Sequence, residues 1–327
     1  MATELTSECA AFTLSVVEPD AAREVRGRVR FSENSRASSV KVGLSLIAQQ
    51  AAKPMAPGRI DADTPIAGCS TTVEREAADA SFVLPLPLVA ASYAGSAFRV
   101  GVGVVATADD GSTIRTLLDV PPAGDEARLV LRGLPLKKPL ASPDRFAMGI
   151  LLALSGALVV ALNAGKAEWA YALGGLAAAV GIVLAAIFRR GMLGLFAVGS
   201  ATIELQVGSD KSELAIAIRG GPRIAAGRVR VAAIEYEVFE GARFEHREIA
   251  SREARLEARE GGGWFARVAL PPAREAPPAL ALRAPKRLLS IRWLAKIELE
   301  SRGGITARAA FPIHVGIEPI ERDAAEG

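Results

Sequence analysis

The pattern of hydrophobic and polar positions changes twice along the chain. Residues 9–133 and 200–316 alternate in short runs between apolar and polar side chains, and two stretches between them are apolar throughout. Period-two alternation is typical of strands that bury one face, whereas a long uninterrupted apolar run is typical of a helix that is apolar on every side. The pattern therefore predicts two β-rich regions that flank a pair of apolar helices.

The first β-rich region consists of alternating runs separated by clusters of Pro, Gly, Asp and Ser. Asp110-Gly111 is a hairpin signal, because glycine readily adopts the positive φ of a tight turn. Strands at this spacing over about 125 residues predict an antiparallel β-sandwich. The runs lie at 12–16, 25–31, 40–46, 81–86, 98–104 and 127–131.

The second β-rich region repeats this pattern and predicts a second sandwich. Residues 243–260 have a composition that favours a helix, but their position between strands favours a charged edge strand. The alternating runs lie at 201–207, 214–218, 229–231, 234–238, 264–270 and 291–300.

The two apolar stretches cover residues 146–165 and 169–188, and each contains twenty residues without a charge. At about 1.5 Å per residue, each helix is roughly 30 Å long, which matches the hydrocarbon core of a bilayer. Only residues 166–168 separate them. The sequence therefore predicts a transmembrane helical hairpin over residues 146–190.

The residues that flank the two stretches predict how the hairpin is oriented. Basic residues surround its outer ends, so the positive-inside rule places both ends in the cytoplasm and the short turn outside. Two aromatic residues at the start of the second stretch fit an interfacial anchor. The predicted membrane-interface residues are Lys137, Lys138, Arg145, Trp169, Tyr171, Arg189 and Arg190.

Small residues recur at four-residue spacing in the apolar stretches, which lets helices approach closely. The spacing fits packing of the hairpin on itself, and it equally fits oligomerisation through the same faces. The pairs are Ala157 with Ala161, Gly174 with Ala178, and Ala177 with Gly181.

The β-rich regions resemble the arrestin-like family. The first contains a Val-x-Gly-x-Val strand at 25–29, a Val-x-Val-x-Leu strand at 40–44, an apolar strand that ends in proline at 82–87, and a Ser-Tyr-x-Gly turn at 92–95 that leads into a long strand. The second is similar to an arrestin C-terminal domain. The resemblance implies two arrestin-like, immunoglobulin-like antiparallel β-sandwiches, although in that family a short linker, not a hairpin, joins the domains.

Little in the sequence points to chemistry. The 39 basic and 36 acidic residues nearly balance, so no attraction to nucleic acid is expected. Cys9 and Cys69 have no metal-ligand spacing. His246 lies among charged residues and is expected on a solvated face, and His314 is expected to point outward from the last strand. We expect no catalytic, cofactor or metal site, and therefore no enzyme.

These observations divide the chain into five parts. Residues 1–135 form the first sandwich, 136–145 a basic linker, 146–190 the hairpin, 191–318 the second sandwich and 319–327 a disordered tail. The polar N-terminus, residues 1–10, lacks the features of a secretory signal. An integral inner- or plasma-membrane protein with both β domains in the cytoplasm is therefore predicted.

The predicted function is that of a non-enzymatic, membrane-anchored scaffold or adaptor, which presents two β-sandwiches to an unidentified protein partner. The expected partners are that protein and the lipid bilayer, with homo-oligomerisation through the hairpin left open. Two alternatives remain: an accessory subunit of a membrane transport or secretion complex that acts through its hairpin, and an extracytoplasmic adhesion-like protein with inverted topology.

Overall fold

The computed structural model describes residues 4–17, 19, 23–50, 61–75, 79–88, 92–118, 120, 127–140, 143–162, 168–260, 262–284 and 286–320. Within them, the first part of the chain forms strands β1 Glu4–Glu8, β2 Phe12–Val17, β3 Glu24–Phe31, β4 Ser39–Gln50, β5 Asp61–Glu74, β6 Asp79–Pro85, β7 Tyr93–Ala94, β8 Phe98–Ala108, β9 Thr113–Leu118, β10 Ala127–Arg132 and β11 Leu136–Pro139.

Two helices follow, α1 Pro143–Leu162 and α2 Glu168–Val198. The remaining strands are β12 Ala201–Val207, β13 Glu213–Gly220, β14 Ile224–Phe239, β15 Ala242–Arg255, β16 Glu257–Ala258, β17 Trp264–Ala269, β18 Leu280–Ala284, β19 Arg287–Ser301 and β20 Thr306–Pro319.

The first sandwich contains two antiparallel sheets. One has the strand order β1-β2-β3-β6, and the other has the order β5-β4-β8-β7 with β9 also paired to β8. In β3, Val25, Val29 and Phe31 are buried while Arg26 and Arg28 point to solvent, as period-two alternation requires. Between β8 and β9, Gly111 has a φ of 89°, which confirms the predicted hairpin turn.

The second sandwich also contains two antiparallel sheets. Their orders are β10-β20-β19-β14-β15, with β18 paired to β19, and β11-β12-β13-β17-β16. Trp293 on β19 is among the largest fully buried side chains, and its indole Nε1 donates to the Pro277 carbonyl at 3.2 Å. The prediction of a mainly β chain is confirmed. The stretch of ambiguous composition forms β15, at the edge of its sheet.

The helices are inserted into the second sandwich. Although β10 and β11 precede the helices, β10 pairs with β20 and β11 pairs with β12, as in the register Leu136 to Leu205. Because β11 and β12 are antiparallel neighbours, the segment between them leaves and re-enters one sheet. The amide of Leu140 donates to the Ala201 carbonyl at 2.9 Å and closes the base of the insertion.

The helices α1 and α2, hereafter the hairpin, pack on each other in antiparallel fashion through glycines. A Cβ added to Gly156 would lie 2.5 Å from the backbone N of Ala178 and from the carbonyl of Gly174. A Cβ added to Gly149 would lie 2.8 Å from the N of Ala185. Gly174 and Gly181, which belong to two of the predicted pairs, therefore pack the hairpin on itself, whereas Ala157 and Ala161 are exposed.

The prediction that this hairpin is transmembrane is wrong, and the predicted integral-membrane localisation is wrong with it. In the part of the chain that the structure describes, no helix is both long enough and apolar enough to cross a membrane.

Two further predictions concern segments outside the described residues. The short turn of the hairpin falls within residues 163–167, and most of the predicted tail, residues 321–327, is also outside.

Candidate functional site: the interdomain contact and the hairpin surface

A buried carboxylate joins the two sandwiches. Glu235 on β14 has no exposed surface, and its carboxylate accepts hydrogen bonds from the residues that precede and begin β8. Its Oε1 accepts from the amides of Ala97 and Phe98 at 3.0 and 3.1 Å. Its Oε2 accepts from the amide and the hydroxyl of Ser96 at 3.0 and 2.6 Å. We call Glu235 and residues 96–98 the interdomain contact.

Four hydrogen bonds are what a buried carboxylate needs. Removing a carboxylate from water costs several kcal/mol unless donors replace its hydration. Bonds to an ionised acceptor are about twice as strong as neutral ones, and three consecutive amides form a concave anion site. Glu235 therefore specifies how the two sandwiches fit together as well as stabilising their contact.

Gly95 allows this approach. A Cβ at this position would meet the Oε1 of Glu235 and would lie 2.7 Å from the Phe98 carbonyl. That carbonyl accepts a hydrogen bond from the Gly95 amide at 2.9 Å, which closes the turn. Tyr93 packs edge-on against Phe98, with 6.0 Å between the ring centroids. The Ser-Tyr-x-Gly turn is thus part of the interdomain contact.

A second buried carboxylate lies two residues further along β14. Glu237 accepts from Arg287 Nη1 at 3.0 Å through one oxygen and lies 3.0 Å from His246 Nε2 through the other. The three side chains are only 2–5 % exposed. The expectation that His246 lies on a solvated face is therefore wrong, because Glu237 compensates for its burial. His314 is exposed on β20, as expected.

The charge of Glu235 affects its surroundings. The pKa of Tyr93 is raised, first by burial of the phenol and then by the nearby Glu235 carboxylate, and Arg247 partly offsets this. The phenol is therefore protonated throughout the neutral range.

The hairpin differs from the interdomain contact, because it exposes apolar side chains where the contact buries a charge. Of the large hydrophobic side chains that are exposed in the described residues, thirteen lie on the two helices and four lie elsewhere. Glu168 is the only charged residue among the described side chains of α1 and α2. The thirteen are Ile150, Leu151, Leu154, Leu158, Val159, Leu162, Trp169, Tyr171, Leu173, Leu176, Val180, Ile182 and Val183.

The residues predicted at a membrane interface do not form one cluster. Lys137 and Lys138 are exposed on β11, where they pair with Glu204 and Ile203 of β12. Trp169 and Tyr171 are exposed in the first turn of α2. Arg145, Arg189 and Arg190 belong to the helices, but their side chains lie outside the described residues. Their predicted role depended on a membrane span, and no described helix provides one.

The cysteines are separate from both regions. Cys9 is half-buried and its thiol donates to the Phe12 carbonyl, while burial raises the pKa of the Cys69 thiol. Among the described residues, no three His, Cys, Asp or Glu side chains are grouped to hold a metal ion.

Comparison with known proteins adds no family. No protein-family model matches the chain, and no curated protein matches it. The resemblance to arrestin-like proteins therefore stays a prediction.

The sequence reading missed the two buried carboxylates. The run Ile234-Glu-Tyr236-Glu-Val238 alternates as if the glutamates faced water. A signal was present earlier in the strand, because the phase of the buried Val229, Val231 and Ala233 continues to positions 235 and 237.

Proposed function

We propose that this protein is a non-enzymatic scaffold that assembles with a second copy of itself through the hairpin and presents its paired sandwiches to other proteins. The observation that carries the proposal is the concentration of exposed apolar side chains on α1 and α2. Contiguous apolar surface of this kind marks an interaction site.

The exposed side chains follow the spacing of a helical bundle. Nine of the thirteen recur at regular intervals, which are four and three residues on α2 and three and four residues on α1. A repeat of about 3.5 residues places side chains on one stripe that fits the holes of a facing helix. The apolar stripes consist of Leu151, Leu154, Leu158 and Leu162 on α1, and of Trp169, Leu173, Leu176, Val180 and Val183 on α2.

A second copy is the occupant that this surface fits. The stripes carry no charge, so the partner surface must also be apolar and uncharged, and the same stripes on another copy meet that condition. Two antiparallel hairpins related by a two-fold axis form a closed four-helix bundle. Closure leaves no stripe open for further growth.

Burial of the apolar stripes between two copies contributes enough free energy to hold a dimer together. The nine stripe side chains are 42–67 % exposed. Because full burial of one such side chain contributes about 1.5–3 kcal/mol, covering them contributes on the order of 10 kcal/mol for each copy. Association costs about 4–15 kcal/mol in lost freedom, so the remainder supports dissociation constants in the micromolar range or below.

The interdomain contact supports the scaffold role. Glu235 fixes one arrangement of the two sandwiches, so each copy presents a preset surface. Two copies present that surface twice, and a partner with two matching sites gains affinity from the increased effective concentration.

The test is sedimentation of the full chain at several concentrations. The stripe variant replaces Leu151, Leu154 and Leu158 with Gln, which keeps a high helix propensity while removing the apolar surface. The matched control replaces Val83 and Leu117, two exposed apolar residues on the first sandwich, with Gln. We expect dimers for the wild type and the control and monomers for the stripe variant.

Two outcomes would overturn the proposal. The first is a wild-type chain that stays monomeric at about ten micromolar and above. The second is a chain that floats with phosphatidylcholine vesicles while the stripe variant does not, because lipid would then cover the stripes.

A further inference from the structure

A cavity of about 290 Å³ lies where the two sandwiches meet. The first sandwich contributes Leu46, Leu88 and residues 92–95, and the second contributes residues 273–278 with side chains from β15, β18 and β20. Ligand sites occur preferentially at such domain junctions. The volume is about twice that of an engineered cavity that binds benzene, so it has room for roughly a dozen non-hydrogen atoms.

Slightly more than half of the wall is apolar. Leu46 is almost fully buried, and Leu88, Ile249, Leu280 and Ile317 are partly buried around it. A ligand that fills this space must therefore have an apolar body, since a polar one would lose its hydration without replacement.

The polar groups of the wall favour an anion. Tyr93 contributes a phenol to this wall, and Arg247 contributes a guanidinium. Glu275 also lines the cavity, but its Oε2 accepts from Arg252 at 2.7 Å. Arg274 adds a second cation. A phenol and a guanidinium that line the same cavity can both donate hydrogen bonds to a carboxylate.

We infer that this cavity binds a small amphipathic carboxylate, with its chain against the apolar wall and its carboxylate between Tyr93 and Arg247. This site is independent of the hairpin. The segment 92–95 that lines it leads directly into the amides that bind Glu235, so a ligand bridges both sandwiches at the interdomain contact. Because it binds the joined arrangement, it raises the midpoint of unfolding as its concentration exceeds the dissociation constant.

The experiment titrates octanoate into the full chain by calorimetry and compares it with octan-1-ol, which has the same chain without the charge. Arg247→Met removes the cation but keeps the side-chain length. Tyr93→Phe removes the phenol. The matched control is Arg243→Met, an exposed arginine on the same strand that does not line the cavity.

Octanoate is expected to bind at about one equivalent per chain. Its affinity is expected to be roughly tenfold or more higher than that of octan-1-ol, because hydrogen bonds to a charged carboxylate are stronger than those to a neutral hydroxyl. Arg247→Met is expected to weaken octanoate binding about tenfold or more, Tyr93→Phe by a smaller factor, and Arg243→Met not at all. Equal affinity for the two probes would overturn the inference. So would octanoate binding that Arg247→Met leaves unchanged, because octanoate adsorbed on the hairpin would behave in this way.

Discussion

The interdomain contact and the hairpin surface depart from the usual distribution of residues in opposite senses. Glu235 is a charged side chain with no exposed surface, whereas Leu151, Leu162 and Trp169 are apolar side chains that are each more than 60 % exposed. Buried charge and contiguous exposed apolar surface are both more informative than an ordinary core residue. The first is fully satisfied within the chain, and the second is left uncovered by the described residues.

In the scaffold proposal, this difference separates what the chain does alone from what it does with a second copy. The four hydrogen bonds to Glu235 leave the contact complete, so it determines the arrangement of the sandwiches. The hairpin uses its glycines to pack on itself and leaves its large side chains outward. The scaffold proposal assigns one task to each region.

The largest effect is expected from breaking the buried ion pair beside the interdomain contact. Arg287→Met removes the guanidinium from buried Glu237 and leaves His246 in place, so the free energy of unfolding falls by about 3–5 kcal/mol. The control Arg252→Met removes a pair whose members are 46 % and 41 % exposed, which lowers it by about 1 kcal/mol or less. Urea unfolding measures both, and equal effects would show that burial does not decide the difference.

A somewhat smaller loss is expected at the interdomain contact itself. Glu235→Ala leaves the amides of Ala97 and Phe98 without an acceptor and lowers the free energy of unfolding by about 2–4 kcal/mol. Glu235→Gln keeps one acceptor and is expected to lose less. Hydrogen exchange of the amides of residues 96–98 should be fastest in Glu235→Ala, slower in Glu235→Gln and slowest in the wild type. Unchanged exchange in Glu235→Ala would mean that the carboxylate does not hold the sandwiches together.

Substituting either of two glycines of the hairpin with alanine is expected to change the stability in opposite directions. Gly156→Ala forces a methyl against the backbone of α2 and destabilises the hairpin by about 1–3 kcal/mol. Gly175→Ala meets no atom within 4 Å and gains up to about 1 kcal/mol from higher helix propensity. Thermal unfolding followed by circular dichroism distinguishes them. A similar change in both variants would contradict the close packing at Gly156.

The smallest effect concerns acid sensitivity. Hydrogen bonds from the hydroxyl and amide of Ser38 hold the pKa of Asp109 below its usual value. Its folded pKa is thus lower than its unfolded pKa, so the stability it contributes is present above about pH 4 and is lost as pH falls towards the folded pKa. Asp109→Asn should therefore unfold more easily than the wild type at pH 7 and equally easily near pH 2. A difference that persists at low pH would contradict this assignment.

Many of the strands can be predicted from the sequence, because a strand that buries one face alternates between apolar and polar residues within its own sequence. The runs at 12–16, 98–104 and 201–207 all fall within strands. Strand partners are less predictable. The run at 127–131 precedes the hairpin, yet it pairs with β20 near the end of the chain, and no local pattern encodes such a long-range pairing.

The two regions of the candidate site were unequally predictable. Uniform apolar character predicts the helices α1 and α2, but the same character in a bilayer and in a helical bundle cannot be told apart by counting residues. Glu235 and Glu237 were missed because the neighbouring Ile234, Tyr236 and Val238 have an apolar phase of their own. The two glutamates nevertheless face inward, because Ile291 and Leu289, their partners on β19, belong to the core.

The measurement that tests the scaffold proposal most directly is the intermolecular distance between spin labels on the hairpin. A label at Leu176→Cys, in a chain with Cys9→Ser and Cys69→Ala, should report a second label within about 20 Å, since helices in a bundle pack about 8–10 Å apart. A label at Leu117→Cys on the first sandwich should report no second label within that distance. Absence of intermolecular coupling at position 176, in a protein concentrated well above ten micromolar, would contradict assembly through the apolar stripes.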